Sequence, residues 1–383
     1  MSLVRRTLTL LLMLLLGTIG LTASPARAAS AEAIKAADYI VSTFKPGKAD
    51  QFGDVGSAAD SLIALVSTGD AKYDDDIAGI LAFLQKNAKT YVGAKNAGTS
   101  GAAKLAVAAA AVQADATSFG GVDLIAEITG GIGADGAFGA FPGPFSSGLA
   151  MVALARNNAQ IPASMVDYLL TYQEPRSGTD GGGFGCTTYP FDPAGDCPKA
   201  DPDSTAMAVL GLQAAGTDKA TTAADAALEW LKGMQMADGS WQNYSPVNST
   251  GLVGPLFPAG SDQATRATAY VVSKQLDSGA LTTGTTDKAN LIATQQGIFA
   301  LTGVSYATVG GSAGQPSASP TPASSESPTA SASASPTGSP SATPMPAPPS
   351  PTSPLPAALG IGFVALTVVA LAGLGMANAR KQS

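Results

Sequence analysis

Two helical sequence phrases alternate along residues 29–311, and this alternation constrains the fold more than any other feature. The first phrase has an apolar stripe with charged residues on its other side, which predicts a half-exposed amphipathic helix. Its five copies start 41, 44, 44 and 62 residues apart. They are Tyr39-Ile40…Phe44, Ile80-Leu81…Gln85, Leu124-Ile125…Thr129, Tyr168-Leu169…Gln173 and Trp230-Leu231…Gln235.

The second phrase is rich in Ala, Leu, Met and Gly and is apolar nearly all round, which predicts a buried helix. It covers 57–67, 101–113, 146–156, 203–214, 262–275 and 293–302. Alternating half-exposed and buried helices predict an all-α domain of two layers, built from five to six helical hairpins. These stack as a solenoid or close into an α/α toroid. The last spacing between buried phrases is 31 residues, which leaves the completeness of the sixth hairpin open.

The loop after the first phrase also repeats, as an Asp-Gly step followed by an aromatic residue. It occurs at 135–138, 180–184 and 238–241, and the glycine permits a turn with positive φ. The stretch Gln235-Met236-Ala237-Asp238-Gly239-Ser240-Trp241 resembles the QW repeat (Q-x-x-D-G-x-W) of squalene and hopene cyclases and of prenyltransferase toroids. This resemblance implies an α/α toroid of the α6/α6 type over most of residues 33–305.

The two ends of the chain predict export and anchoring. Residues 1–28 have a basic start, an apolar run and a small-residue cleavage site, as an export signal does. The Arg5-Arg6 pair leaves twin-arginine export open beside an ordinary basic start. Residues 312–354 are Ser, Pro, Thr, Ala and Gly with one charge, Glu326, which predicts a disordered linker.

The uncharged run 355–377 has 23 residues, long enough for a transmembrane helix. Arg380 and Lys381 follow it, so residues 378–383 are expected to be a cytoplasmic tail with the domain at 29–311 outside the plasma membrane. Cys186 and Cys197 lie 11 positions apart in an exported chain and predict a local disulfide. A reactive thiol is the alternative.

The chain contains no histidine, which excludes a Ser-His-Asp triad, a Cys-His dyad and any histidine-ligated metal. We therefore prefer binding to catalysis and expect neither a metal nor a cofactor. Without the two ends, the chain retains 16 basic and 27 acidic residues, a charge of −11. This charge argues against nucleic acid as a partner.

The most informative segment for function runs from Asp201 to Leu212. Asp203-Ser204 suits a helix N-cap, which is its structural interpretation. Residues 203–212 also resemble the Asp-Thr-x-Ala-Met-Ala-x-Leu-Ala-Leu stretch of the transcobalamin and intrinsic factor family, secreted corrinoid-binding proteins with an α6/α6 barrel. That resemblance implies a ligand site at the starts of the buried helices. The candidate residues are Asp203, Thr205, Asp262, Gln263, Gln295 and Gln296, with Tyr189, Trp241 and Tyr244 in the intervening loops.

Two other classes of function stay open. The same segment resembles the Asp-x-Asp-Asp-Thr-Ala motif of class II terpenoid cyclases, in which Asp203 would be the general acid. Ser204 departs from that motif, and an aromatic content of 6% furnishes a poor cage for carbocations. A structural or protein-binding surface module is the other alternative.

We therefore expect a membrane-anchored cell-surface protein that captures a small, partly apolar ligand for uptake, with cobalamin or another corrinoid as the candidate. The corrinoid-binding family covers its ligand with a small β-rich domain, which this sequence lacks. A separate capping protein and a membrane transporter are the expected partners.

Overall fold

A computed structural model describes residues 29–43, 55–94, 98–178, 181–195 and 197–311. This part of the chain is all-helical, with twelve α-helices, two short 3₁₀ turns, a few isolated bridges and no strand. The half-exposed helices are α1 Ala31–Thr43, α3 Asp74–Val92, α5 Leu124–Gly130, α7 Ala163–Leu170, α9 Asp218–Met234 and α11 Asp262–Ser273. The buried helices are α2 Val55–Ser67, α4 Gly98–Ala111, α6 Pro144–Arg156, α8 Pro202–Ala215, α10 Pro246–Val253 and α12 Leu291–Thr302.

The predicted export signal, linker, transmembrane helix and tail lie outside the described residues. Within the described ranges, none of the helices combines the length and the apolar character that a membrane crossing requires.

The alternation of the two helix types is confirmed, with one correction. The segment 262–275 was predicted to be a buried helix, but α11 buries only Ala267, Tyr270 and Val271 and is half-exposed. The fifth buried helix is α10, which the sequence pattern missed because it is only 8 residues long, begins with proline and contains no alanine. Six complete pairs result, each a half-exposed helix followed by a buried one.

The start of α8 brings a second correction. Asp203-Ser204 was interpreted as the N-cap, but the cap is Asp201, whose side chain accepts a hydrogen bond from the Ser204 amide. Asp203 therefore lies inside the first turn of α8, where its carboxylate is available for other contacts.

Three glutamines connect successive half-exposed helices. The Nε2 atom of each donates to a glycine carbonyl in its own turn and to a main-chain carbonyl of the following half-exposed helix. Gln173 binds Gly182 and Ala223, Gln235 binds Gly239 and Gln263, and Gln275 binds Gly279 and Glu32, all at 2.8–3.0 Å. Gln275 thereby links α11 to α1, 243 residues earlier in the chain.

The buried helices also pack on one another in order along the chain. Each one contacts the next, and the last, α12, contacts both α1 and α2. Gln295 on α12 contributes to that contact, because its Nε2 donates to the Ser57 carbonyl at 3.0 Å and to the Ser61 hydroxyl at 2.7 Å. The end of the domain therefore lies against its beginning.

Candidate functional site

Single polar residues interrupt the burial of several helices. Lys104 is the only residue of α4 between Gly101 and Ala109 that is not buried, and Asn248 is the only such residue of α10. Asp60 on α2 and Gln296 on α12 are likewise partly exposed between buried neighbours. These helices expose only a few positions to solvent. The polar side chains at those positions, between buried neighbours, are therefore candidates for a functional site.

These residues and Tyr306, which follows the last helix, form two contacting groups, and the charges of Asp60 and Lys104 act on Tyr306 in the second group. The Lys104 Nζ atom lies 2.8 Å from Asp60 Oδ2, and the two side chains are 25% and 14% exposed. Asn248 Nδ2 donates to Gln296 Oε1 at 2.7 Å, and the side chains of Gln296 and Tyr306 are hydrogen-bonded. We call these five residues the central polar cluster.

Charge in the cluster is shared between Asp60 and Lys104. Burial acts to lower the pKa of Lys104, but the negative charge of Asp60, the hydrogen bond to Asp60 and the nearby Tyr91 and Tyr306 together outweigh it and raise that pKa above its ordinary value. Burial also raises the pKa of Tyr306, and the charge of Asp60 adds to this effect. At neutral pH Lys104 is therefore an ammonium and Tyr306 a neutral phenol.

A pair of carboxyl groups lies at the start of α8. Asn243 Nδ2 donates to Asp203 Oδ2 at 2.8 Å and to Asp201 Oδ1 at 3.3 Å, and the Ser249 hydroxyl also hydrogen-bonds to Asp203. Asp203 Oδ1 is shielded from solvent and has no hydrogen-bond partner among the described residues. Burial, reinforced by the charge of Asp201, raises the pKa of Asp203 to about 7.

This elevated pKa bears on the cyclase alternative. Protonation of an alkene requires an unusually strong carboxylic acid, whereas Asp203 is a weaker acid than a free aspartate. Two cavities of about 130 and 270 Å³ surround the start of α3, and Asp203 lines neither of them. The elevated pKa disfavours Asp203 as a cyclase acid.

Two of the predicted ligand residues use their polar groups for hydrogen bonds within the protein. The Thr205 hydroxyl accepts from the Phe184 amide at 2.9 Å and donates to the Asp201 carbonyl at 2.6 Å. Trp241 is fully buried, and its Nε1 donates to the Leu231 carbonyl at 2.7 Å. Both residues hold the turn against a helix instead of facing a ligand.

Asp262 and Gln263 were predicted at the start of a buried helix, and this placement is wrong because α11 is half-exposed. Asp262 is exposed and lies 3.4 Å from Arg266 in an i,i+4 ion pair. The Gln263 carbonyl accepts the hydrogen bond from Gln235. No described contact joins either residue to Asp203 or to the central polar cluster.

The two tyrosines among the predicted loop aromatics are exposed. Tyr244 is 80% exposed, and its amide donates to the Oδ1 of Asn243, the residue that bridges the carboxyl pair. Tyr189 lies within the loop closed by Cys186 and Cys197, whose predicted disulfide is confirmed. Tyr244 therefore reaches the residue that bridges the carboxyl pair through its main chain alone, and no described contact joins Tyr189 to that pair.

Sequence reasoning missed four members of the central polar cluster. Asp60 and Lys104 did carry a signal, because each is the sole charged residue of an apolar helix. Their separation of 44 residues also equals the repeat spacing, which puts them at equivalent places on successive buried helices. Asn248 lay on the unrecognised α10, and Tyr306 follows the last helix without any motif.

The described residues contain no group of three or more His, Cys, Asp or Glu side chains that could hold a metal ion. The side chains of the candidate site can interact with a ligand through hydrogen bonds and through charge, from their amide, hydroxyl, ammonium and carboxyl groups. In comparisons with known proteins, no protein-family model matches the chain and no curated protein matches it. The two family resemblances at 203–212 and 235–241 therefore stay predictions from sequence.

Proposed function

We propose that the twelve helices form an α/α toroid of the α6/α6 type, with the six buried helices as an inner ring. The order of packing supports this, because each buried helix contacts the next and α12 contacts α2. The hydrogen bonds from Gln275 to Glu32 and from Gln295 to Ser57 would then close the outer and inner rings.

Within this architecture, we propose that the domain is a non-catalytic protein that captures a small, partly apolar ligand. One observation supports this proposal above all. Several buried helices carry a partly exposed polar residue at a position where alanine would pack without any cost in free energy. Lys104 is paired with Asp60 and Asn248 with Gln296, but even a well-paired buried polar group rarely stabilises a fold more than an apolar residue of similar volume would. A ligand site in the centre of the ring accounts for their presence.

The carboxyl pair extends the proposed site toward the loops. Asp203 is partly exposed in the first turn of α8, and Ser249, next to the partly exposed Asn248 of α10, hydrogen-bonds to Asp203. Phe145 on α6 and Ile292 on α12 are also partly exposed and would supply apolar contacts. Polar groups that fix orientation within apolar surroundings are typical of small-molecule sites.

The sequence resemblance makes a corrinoid such as cobalamin the first ligand to examine. Because the chain has no histidine, its own imidazole cannot coordinate cobalt, and recognition would come from the side chains named above. With the proposed export signal, linker and transmembrane helix, the domain would lie at the cell surface. A capping protein and a transporter would be its partners.

The test is a calorimetric titration of the full chain, in a neutral detergent, with cobalamin, cobinamide and a panel of lipids. We expect one of these to bind more tightly than roughly millimolar. Lys104→Met should weaken this binding about tenfold or more, whereas Lys219→Met, which removes an exposed ion pair with Asp167, should not. Corrinoids that fail to bind would contradict the corrinoid version, and failure of the whole panel would contradict ligand capture.

A further inference from the structure

An apolar groove with an acidic rim lies where α2 and α4 end and α3 begins. Its cavity is about 270 Å³, with Leu65, Val66, Ile77, Ala111 and Val112 as apolar lining and Asp70 and Asp74 beside them. A smaller cavity of about 130 Å³ shares Leu65 and is lined by Asp75 and Asp76. We call the larger cavity, with these four aspartates, the acidic groove.

The negative charge of the acidic groove has no basic counterpart within its own segment. Lys72 is the only basic residue from Asp70 to Ile80, and its Nζ lies 2.8 Å from Asp38. Asp74, Asp75 and Asp76 occupy the first turn of α3, where the helix dipole favours negative charge. The helix dipole, equivalent to roughly half a positive charge, stabilises these carboxylates but does not neutralise all three.

The acidic groove also lies beside the point where the described chain ends. Gly310 packs so closely on Ala111 that a Cβ atom there would overlap the Ala111 carbonyl. Ala111 lines the acidic groove, so the chain passes its edge just before residue 312. A partner in the groove would therefore lie next to the root of the segment that follows the domain.

We propose that the acidic groove docks a basic segment of a second protein, with one apolar side chain in the cavity and Arg or Lys residues against the four aspartates. This interaction is separate from ligand capture and does not depend on it. The cavity has room for about one large side chain, which is how anchor residues bind. Arginine is enriched at such interfaces, and complementary charge accelerates association.

The same charges argue against the other occupants. An anionic lipid surface would be repelled by the aspartates, and a second copy of this domain would bring another −11 of charge. The segment after Gly311 carries no basic residue until Arg380 and so lacks the complementary charge.

The test measures binding of the full chain, in neutral detergent, to a fluorescent peptide in which one leucine is flanked by arginines. One matched peptide replaces the leucine with serine, and another replaces the arginines with glutamates. We expect micromolar binding that weakens as salt rises, about tenfold weaker binding of the serine peptide, and none of the glutamate peptide. The double substitution Asp74→Asn/Asp75→Asn should weaken binding of the leucine peptide about tenfold or more.

Asp218→Asn/Asp225→Asn on α9 is the matched control, since it removes the same charge from another half-exposed helix. The control should bind like the unmodified chain, and thermal unfolding of both variants shows whether they fold. Equal loss in the control would overturn the proposal in favour of general charge attraction. Equal binding of the serine peptide would overturn the apolar anchor, and recruitment to anionic but not neutral vesicles would point to lipid instead.

Discussion

Arg156, at the end of α6, holds the main chain of Tyr306, 150 residues later. Its Nη1 donates to the Tyr306 carbonyl at 2.8 Å, and its Nη2 donates to the Val309 carbonyl. Arg156 belongs to none of the ion pairs in the described part of the chain. Burial lowers its pKa to about 10, so the guanidinium stays charged at neutral pH. Arg156 thus helps to hold the segment that carries Tyr306 to the central polar cluster, together with the ring contact between Tyr306 and Phe299 and the packing of Gly310 on Ala111.

Substitution of Arg156 should loosen that segment. Arg156→Ala leaves two partly buried carbonyls without their donor, and each such group costs about 1–3 kcal/mol. We expect a loss of roughly 2–4 kcal/mol in the free energy of unfolding, measured with urea. Lys219→Ala, in an exposed pair, should change it by less than about 1 kcal/mol. An Arg156→Ala protein as stable as that control would mean that the two hydrogen bonds contribute nothing.

Gly279 should tolerate no side chain. Its φ is +85°, and a Cβ atom would overlap the carbonyl of Lys35 on α1. Gly303 is the matched control, because its φ of +70° is similar but open space surrounds it. Gly303→Ala should cost about 1 kcal/mol of unfolding free energy from backbone conformation alone, whereas Gly279→Ala adds the overlap and should cost at least ~2 kcal/mol more. Equal losses of unfolding free energy in the two variants, measured with urea, would show that the turn at Gly279 can move to accommodate a Cβ atom.

The ion pair between Lys104 and Asp60 should behave as a coupled unit. Lys104→Met removes the ammonium and leaves the Asp60 carboxylate largely surrounded by apolar helices, at a cost of about 3 kcal/mol in unfolding free energy. Adding Asp60→Leu removes the stranded charge, so the double variant should recover most of that loss. Urea unfolding of the two single variants and the double variant measures the coupling. If the loss of unfolding free energy in the double variant equals the sum of the two single losses, the coupling is contradicted. The two charged groups would then be solvated by water and not by each other.

The helical layers could be predicted from the sequence because periodic burial leaves a periodic pattern, as the phrase around Tyr168-Leu169 on α7 shows. The pattern failed at α10, a short helix that begins at Pro246 and carries Asn248, because its burial comes from its neighbours and not from its composition. It also failed at α11, where an Ala-rich and Thr-rich phrase conceals a half-exposed helix.

Less of the candidate site could be predicted. Asp203 and Gln296 were found because a motif and a helix start mark them. The hydrogen bond between Gln296 and Tyr306 depends instead on the path of the chain after α12. The hydrogen bond from Arg156 to the Tyr306 carbonyl joins residues that are 150 positions apart. Local sequence encodes neither.

The pH dependence of stability should reveal the carboxyl pair. The pKa of Asp203 in the folded protein is about 7, above the value of 3.8 for an unperturbed aspartate. Between those two values the folded state holds a proton that the unfolded state has lost. The stability contributed by this proton is complete below pH 4 and is lost as the pH rises through 7, with a slope of at most about 1.4 kcal/mol per pH unit.

Asp203→Asn removes this titration while keeping the size of the side chain and an oxygen to accept from Asn243. The variant should lose that part of the pH dependence, and above pH 7 it should match or exceed the unmodified protein in stability. Urea unfolding of both proteins at pH 5 and pH 8 measures the difference, with Asp218→Asn, which also removes one carboxylate but at an exposed position, as the control. An Asp203→Asn profile parallel to that of the unmodified protein would show that Asp203 is ionised throughout this range. The Asp201 charge would then have to be offset by solvent that reaches the start of α8.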